Sequence, residues 1–483
     1  MLFLPFRTLK MDPKPISIFF SVLLLLFVSS SALQYQNLVI TSLPKPKTLS
    51  WDTLRETEFV RHAQTLLDSD TGFAIDLHHV DNVSPAFNST PESLFKLRLK
   101  RDAFRVKALS TLASEAGKPQ VASDFSSTVI SGLEQGSGEY FTRIGVGTPP
   151  KYAFMVLDTG SDIVWMQCSP CRKCYTQSDP VFDPKKSSSF SGVSCGSPLC
   201  RLLDSPGCTS DRKKCLYEVS YGDGSFTVGE LSTETLTFRG TRVDKVALGC
   251  GHDDEGLFVG AAGLLGLGRG KLSFPSQSGR QFGSMFSYCL VDRSASSKPS
   301  SIIFGQSAVS RNAVFTPLLA NPKLDTFYYV GLNGISVGGA RVPGITAAAF
   351  NLDSSGDGGV IVDSGTSVTR LTQPAYEALR DAFRVGASNL KRAPEFSLFD
   401  TCFDLSGKAV VKVPTVVLHF SGAAVSLPAS NYLIPVNSDG RFCFAFAGTT
   451  SGLSIIGNIQ QQSFRVVFDL ANNRVGFTPR GCD

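Results

Sequence analysis

Phe154-Met-Val-Leu-Asp158-Thr-Gly-Ser161 and Val360-Ile-Val-Asp363-Ser-Gly-Thr366 are the two stretches on which the reading of this chain turns. In each, an apolar run of strand type ends in an aspartate. A glycine stands two residues later, with a hydroxyl residue on either side. Glycine lets the backbone turn closely enough for its amides to approach a carboxylate. The aspartates lie 205 residues apart, and each is followed at a comparable distance by an apolar-apolar-glycine element, Leu264-Leu265-Gly266 and Ile455-Ile456-Gly457. A long-period repeat of this kind is architecture: two half-sites, each supplying one carboxylate. A third Asp-Thr-Gly begins at Asp70. It has Asp68-Ser69 where the apolar strand should be, and reads as a surface turn.

The 483 residues and 42% apolar composition suffice for a large core in two lobes. Forty-four glycines and frequent Val, Phe, Ser and Thr predict many short strands between turns, a mainly β protein. A net charge of +5 is small for this length, and no broad basic field argues for nucleic acid. Five histidines, no His-Glu-x-x-His and no Gly-x-Ser-x-Gly leave metalloprotease and serine-hydrolase readings unsupported. Lys10 and Lys14, then the apolar run 16–28 and the small residues 29–32, predict a secretory signal over 1–32. The run is short for a membrane span, and the C-terminus has no hydrophobic tail for a lipid anchor. The expectation is a secreted protein with no membrane anchor, the vacuole being the alternative destination. All twelve cysteines lie between Cys168 and Cys482, which behind a secretion signal predicts six disulfides. A metal site at Cys168, Cys171 and Cys174 is the competing reading.

The two aspartate motifs stand with Ile163-Val-Trp165, Tyr221-Gly-Asp-Gly-Ser225, Leu248-Gly-Cys-Gly-His252, Gly263-Leu-Leu-Gly-Leu-Gly-Arg-Gly270 and Ile455-Ile-Gly-Asn458. Together they resemble the pepsin-type aspartic proteases, and more closely the plant nepenthesin-like branch, over about 138–483. The resemblance implies a bilobal pepsin-like acid protease fold with the cleft between two pseudo-symmetric β lobes. The N-terminal lobe would cover 137–312, with a cysteine-rich insertion over about 168–215, and the C-terminal lobe 313–483. It implies that Asp158 and Asp363 form the catalytic dyad, supported by Thr159, Gly160, Ser161, Ser364, Gly365 and Thr366. Thr159 and Ser364 would lock the two turns together, and Ser161 and Thr366 would offer outer hydroxyls. Tyr221, Gly222 and Asp223 would form a flap over the substrate, with the Trp165 indole meeting the Tyr221 phenol; Gly222-Asp223-Gly224 is also a hairpin-turn signal in its own right. The resemblance further implies a Cys402–Cys443 disulfide, no cofactor or metal, polypeptide substrates and a monomer. Asp162 departs from the animal pattern; the sequence leaves open whether it perturbs the dyad or lies exposed.

Residues 33–136 differ from the rest and hold no cysteine. Within 93–113, Lys96, Arg98, Lys100, Arg101, Arg105 and Lys107 face one acid, Asp102, while Leu94, Leu97, Phe104, Ala108 and Leu112 recur at helical spacing. The plain reading is a solvated helix. The sharper one, drawn from pepsin-type zymogens, is a propeptide over 33–136 that lays cations on an acidic cleft until low pH weakens the pairing. The glycine-rich stretch 132–138 reads as the place of processing. The two glycosylation sequons, Asn82 and Asn88, also fall in this segment, each with a proline just after. The clusters at Asp353-Ser-Ser-Gly-Asp357 and His252-Asp-Asp-Glu255 read as turns rather than metal loops. The whole reads as a secreted aspartic endopeptidase made as a zymogen and active in acid. A catalytically silent pepsin-fold binding protein or inhibitor is the alternative, and the intact aspartates, glycines and Tyr221 count against it.

Overall fold

The computed structural model describes residues 33–43, 50–55, 72–82, 90–115, 140–221, 225–239, 241–256, 260–291 and 300–482. The expected signal, the stretch 132–138, Asp70, Asn88 and the flap residues Gly222 and Asp223 lie outside them. Asn82 closes a short turn, Val80–Asn82.

Each catalytic-type turn is the end of a buried strand held between neighbours. In the first half, Lys151–Asp158 pairs antiparallel with Tyr140–Val146 and parallel with Gly263–Gly266. In the second, Val360–Val362 pairs parallel with Ser454–Ile456. Strands covered on both faces read as continuous apolar runs, and Met155, Val156 and Leu157 are all buried. A long hairpin, Phe226–Phe238 with Thr241–Glu255, wraps the first half, and at its base Tyr221 N–H donates to Ser225 O at 2.7 Å. The helix Gln373–Gly386 starts on Pro374, whose missing N–H costs nothing in a first turn. It buries Tyr376, Leu379 and Phe383 beneath the second lobe.

A six-stranded antiparallel sheet joins the lobes. Its order is Gly72–His79, Ser300–Gly305, Met285–Cys289, Phe464–Asp469, Arg474–Pro479 and Val314–Leu319. The first of these comes from the segment expected to be a propeptide, and its end also pairs with Tyr140–Val146. Phe73, Ile75 and Leu77 point from it into the main core, where Phe73 stacks on Phe238 and Phe304. A second N-terminal strand, Tyr35–Val39, pairs with Val410–Pro414 on the far lobe. Neither strand was anticipated in 33–136, because both pair with residues far along the chain and so leave no local turn signal.

Six disulfides are present: Cys168–Cys250, Cys171–Cys174, Cys195–Cys208, Cys200–Cys215, Cys289–Cys482 and Cys402–Cys443. The three cysteines spaced like metal ligands are thus oxidised, two of them to each other. Among the described residues no helix is long and apolar enough to cross a membrane.

Candidate active site

The apolar-apolar-glycine elements are the strands that clamp the two aspartate turns. Gly266 lies opposite Asp158 in register, and Leu267 N–H donates to Asp158 O at 2.8 Å. Asp363 N–H donates to Ile456 O at 3.2 Å. A Cβ on Gly266 would sit 2.3 Å from the Asp162 backbone, and one on Gly457 2.8 Å from Ser367 O. Only glycine lets the two chain segments cross that closely. From Asn458, the Nδ2 amide donates to Ser364 O at 3.0 Å, and Gln461 Nε2 donates to Asp363 O at 3.1 Å. These two amides brace the second turn from below; Asn458 closes a motif quoted from the sequence, whereas Gln461 was not singled out.

Asp158 and Asp363 are each 1% exposed. Gly160 N–H donates to Asp158 Oδ1 at 3.0 Å. Thr366 Oγ1 donates to Asp363 Oδ2 at 2.7 Å. Thr159 Oγ1 accepts the Ser364 N–H at 2.9 Å and lies 3.0 Å from Asp363 Oδ1 and 3.1 Å from Ser364 Oγ. Ser161, expected to offer Asp158 a matching hydroxyl, does not: its Oγ is buried without a partner. The Asp158 oxygens are occupied instead by a guanidinium. Asp162 neither touches the dyad nor lies exposed. It accepts from Gly270 N at 2.8 Å and from Thr326 Oγ1 at 2.6 Å, so it ties the two halves of the chain, and burial pushes its carboxyl up to about 6 despite these bonds. Trp165 Nε1 donates to Tyr221 Oη at 2.7 Å.

The guanidinium belongs to Arg105. It projects from the helix Pro91–Glu115, which starts with Thr90 Oγ1 accepting Ser93 N–H at 3.2 Å. Arg105 Nη1 donates to Asp158 Oδ2 at 3.2 Å, Nε to Asp363 Oδ2 at 3.1 Å, and Nη2 to Asp363 Oδ1 at 2.9 Å and also to Asp158 Oδ1. A planar fork of donors is suited to bridging two carboxylates, which a point ammonium is not. The turn glycines make room for it: a Cβ on Gly160 would lie 2.5 Å from Arg105 Nη2, and one on Gly365 2.8 Å from its Cζ. Burial opposes the charge on Arg105, but the two carboxylates outweigh it and raise its proton affinity well above the ordinary arginine range. Burial likewise pushes Asp363 up, but Arg105, Thr366 and the Gly365 N–H prevail and hold its carboxyl below the usual range.

The rest of the helix follows the same face. Arg98 donates to Ser367 Oγ at 2.8 Å and Asn458 Oδ1 at 2.6 Å. Asp102 accepts the Ser367 and Val368 N–H groups and pairs with Arg370. Arg101 pairs with Asp81 at 2.8 Å. Phe95 and Leu99 pack beside Val368, Phe399 and Ile459, while Leu109 and Ala113 pack beside Phe327, Tyr329 and Ile361. The expected apolar face is therefore corrected. Leu94 and Ala108 are buried, but Leu97, Phe104 and Leu112 are 43%, 37% and 44% exposed. The helix lies on a polar cleft, so its inward ridge is mixed, running Phe95, Arg98, Leu99, Asp102, Arg105, Leu109. Lys96, Lys100 and Lys107 face outward.

Two lobes, each offering a buried carboxylate on an Asp-(Thr/Ser)-Gly turn at a shared point, define the architecture of a pepsin-type aspartic protease. Residues 140–306 match the family model described as xylanase inhibitor N-terminal, and 327–479 the one described as xylanase inhibitor C-terminal. The chain is 68% identical over 436 residues to aspartyl protease family protein 2 of Arabidopsis thaliana, covering 89% of each. It is 50% identical over 421 residues to the Arabidopsis thaliana protein Aspartic Protease in Guard Cell 2, covering 86% of this chain and 89% of that one. It is 40% identical over 418 residues to aspartic proteinase nepenthesin-1 of Nepenthes gracilis, covering 85% and 91%. The crystal structure of edgp shares the fold, with a TM-score of 0.59 over 70% of this chain and 91% of that one at 23% identity. The chain belongs to the plant nepenthesin-like branch of the pepsin-type aspartic protease family.

Proposed function

We propose that this aspartic-type endopeptidase is made as a secreted precursor, that Asp158 and Asp363 are its catalytic pair, and that the helix Pro91–Glu115 is its built-in inhibitor. The observation that supports this most directly is Arg105, whose single guanidinium reaches both carboxylates and so marks the point on which they converge.

With the helix withdrawn, two carboxylates at that spacing share one proton, because like charges so close do not both ionise readily. A water held between them attacks the scissile carbonyl carbon as the charged carboxylate removes its proton. The neutral carboxyl hydrogen-bonds the carbonyl oxygen and protonates it. The tetrahedral diol then collapses: one hydroxyl gives its proton to the charged carboxylate as the carbonyl reforms, the C–N bond breaks, and the nitrogen takes the proton of the other carboxyl, leaving the pair with one proton as at the start. No bond to the protein forms. Thr366 and the Thr159–Ser364 contacts hold the carboxylates in place, and Tyr221, steadied by Trp165, covers the substrate from above. In the precursor, Arg105 sits where the water and shared proton would be, and it holds the Asp363 carboxyl below its usual range.

The test is cleavage of a denatured protein by purified precursor from pH 3 to 7, with and without pepstatin, while the N-terminal segment is followed by gel and sequencing. Acid-dependent, pepstatin-blocked cleavage that tracks loss of residues 33–136 is the expected result. No cleavage at any pH, even with the segment removed, would overturn the reading in favour of a silent pepsin-fold binding protein.

A further inference from the structure

The helix, the strand Gly72–His79 and the strand Tyr35–Val39 all hold the N-terminal segment on the lobes, and the last is chemically unlike the helix. Tyr35–Val39 runs antiparallel along Val410–Pro414, from Tyr35 opposite Pro414 to Val39 opposite Val410. The ladder continues past both ends: Gln34 N–H donates to Gly338 O at 2.8 Å, Thr415 N–H to Gln34 O at 3.0 Å, and Ile40 N–H to Ala409 O at 2.9 Å. Leu38 is 3% exposed, in the main core. The Gln36 amide donates to Leu427 O at 2.9 Å and to Tyr432 Oη at 2.7 Å, and that phenol donates onward to Pro414 O at 2.8 Å. Leu43 packs beside Phe95, Ile434 and Ile459. A groove of about 370 Å³ runs between this strand, the start of the helix and the segment around Pro428–Pro435.

Among the described residues Val410–Pro414 has no other strand partner. Without residues 33–43 it would present open backbone donors and acceptors above a leucine-sized hole, the kind of edge that recruits an extended chain. The helix and the strand Tyr35–Val39 also differ in what acid can do to them. The helix holds by ion pairs: Arg105 on the two aspartates, Asp102 on Arg370, and Arg101 on Asp81. The strand Gly72–His79 leads directly into Asp81 and is tied to that ionic set. Around Tyr35–Val39 the charged and titratable groups are Lys412, opposite Asn37, Arg98 in the groove, and the phenols of Tyr35 and Tyr432. Among the described residues in these contacts none is a carboxylate or a histidine, so acid has no group there to neutralise.

We propose that the edge Val410–Pro414 and its groove form a docking site, separate from the catalytic cleft, for residues 33–43, and that it keeps this segment bound after acid has released the helix. The processed enzyme then carries a piece of its own precursor as a second, non-covalent chain. The second half of this inference rests on the zymogen reading; the docking site itself does not.

Hydrogen exchange at residues 409–415 tests both. In the intact precursor these amides exchange slowly. Leu38→Lys puts an ammonium into the core and speeds their exchange at least about tenfold, and Gln36→Ala gives a smaller rise. A synthetic peptide of residues 33–43, added in excess to the Leu38→Lys precursor, restores protection equally at pH 4 and pH 7, with pepstatin present or absent. A peptide that leaves exchange unchanged, or that pepstatin displaces, overturns the docking site. After processing at pH 4 with pepstatin in the cleft, the wild-type segment stays protected and the Leu38→Lys segment does not. Exposure in both overturns the retained chain. Failure to process in acid counts against the zymogen reading alone, and the same exchange is then read on a precursor cut at a protease site inserted within 132–138.

Discussion

Replacing Arg105 with alanine is the perturbation that bears most directly on how the precursor is kept silent. The side chain is 9% exposed and each aspartate 1%. Removing one member of a buried charge cluster costs about 3–5 kcal/mol, because the remaining charges are left uncompensated. Part of that returns when the aspartate pair takes up a proton and its internal repulsion falls. A net loss of about 2–4 kcal/mol remains, which raises the fraction of precursor with an open cleft roughly 30- to 1000-fold. Arg98 and Asp102 still hold the helix, so the variant stays folded. The assay is pepstatin binding and the initial rate on a quenched peptide at pH 6, read before any shortening of the chain is visible on a gel. Wild-type precursor is silent there, because its Asp363 carboxyl is held below the ordinary value of 3.8. Stabilisation from a lowered carboxyl is complete above that ordinary value and disappears as pH falls through the lowered one. The wild type therefore stays shut at pH 5 and opens below about pH 4, whereas Arg105→Ala opens at both. Arg105→Lys keeps the charge but loses the fork, and falls between the two. A folded Arg105→Ala precursor as inert and as blind to pepstatin at pH 6 as the wild type would refute the reasoning.

Other outcomes follow from the same geometry. Asp158→Asn and Asp363→Asn each abolish hydrolysis and leave the precursor unshortened in acid, whereas residual pepstatin-sensitive cleavage by either would remove that residue from the dyad. Trp165→Phe deletes the bond to Tyr221 and lowers kcat/KM about fivefold to tenfold, the worth of one hydrogen bond, and an unchanged kcat/KM would show that this bond does not position Tyr221. Asp254 is buried near the base of the hairpin of Phe226–Phe238 with Thr241–Glu255, where burial pushes its carboxyl up to about 7 although Thr227 Oγ1 donates to it. A raised carboxyl favours the folded state while protonated, and that advantage drains away as pH climbs from the ordinary value toward 7. The wild type thus loses on the order of 3 kcal/mol of stability between pH 4 and 8 from this group, and Asp254→Asn flattens the urea-unfolding profile over that range.

The dyad turns were legible because they obey two local rules at once, an apolar strand and a glycine that admits close backbone approach. The apolar-apolar-glycine elements were legible as repeats, although only the parallel registers show that they are the partners of the aspartate strands. The helix Pro91–Glu115 was legible as a helix but not in its orientation. Hydrophobic periodicity assumes an apolar surface to bury against, and here the surface is a cleft lined with carboxylates, hydroxyls and amides. The series Phe95, Arg98, Leu99, Asp102, Arg105, Leu109 has the same helical spacing as the face read from the leucines, but hydrophobicity ranks it lower. Asp102, the only acid in the stretch, turns inward where a solvated helix would leave it outside. The strands Tyr35–Val39 and Gly72–His79 were missed for another reason: a strand without a hairpin is specified by a partner distant in sequence, and alternation over so few residues is common by chance.

Thr159 and Ser364 join the two aspartate turns across the halves of the chain, and Asp158 and Asp363 lie one residue before them. In a body made of two rigid arms, a point on the axis of rotation moves least. Were the two halves to shift against each other, the carboxylates beside this contact would keep their separation better than any group lying farther out along either half. Neither half, alone, has a pivot to turn on.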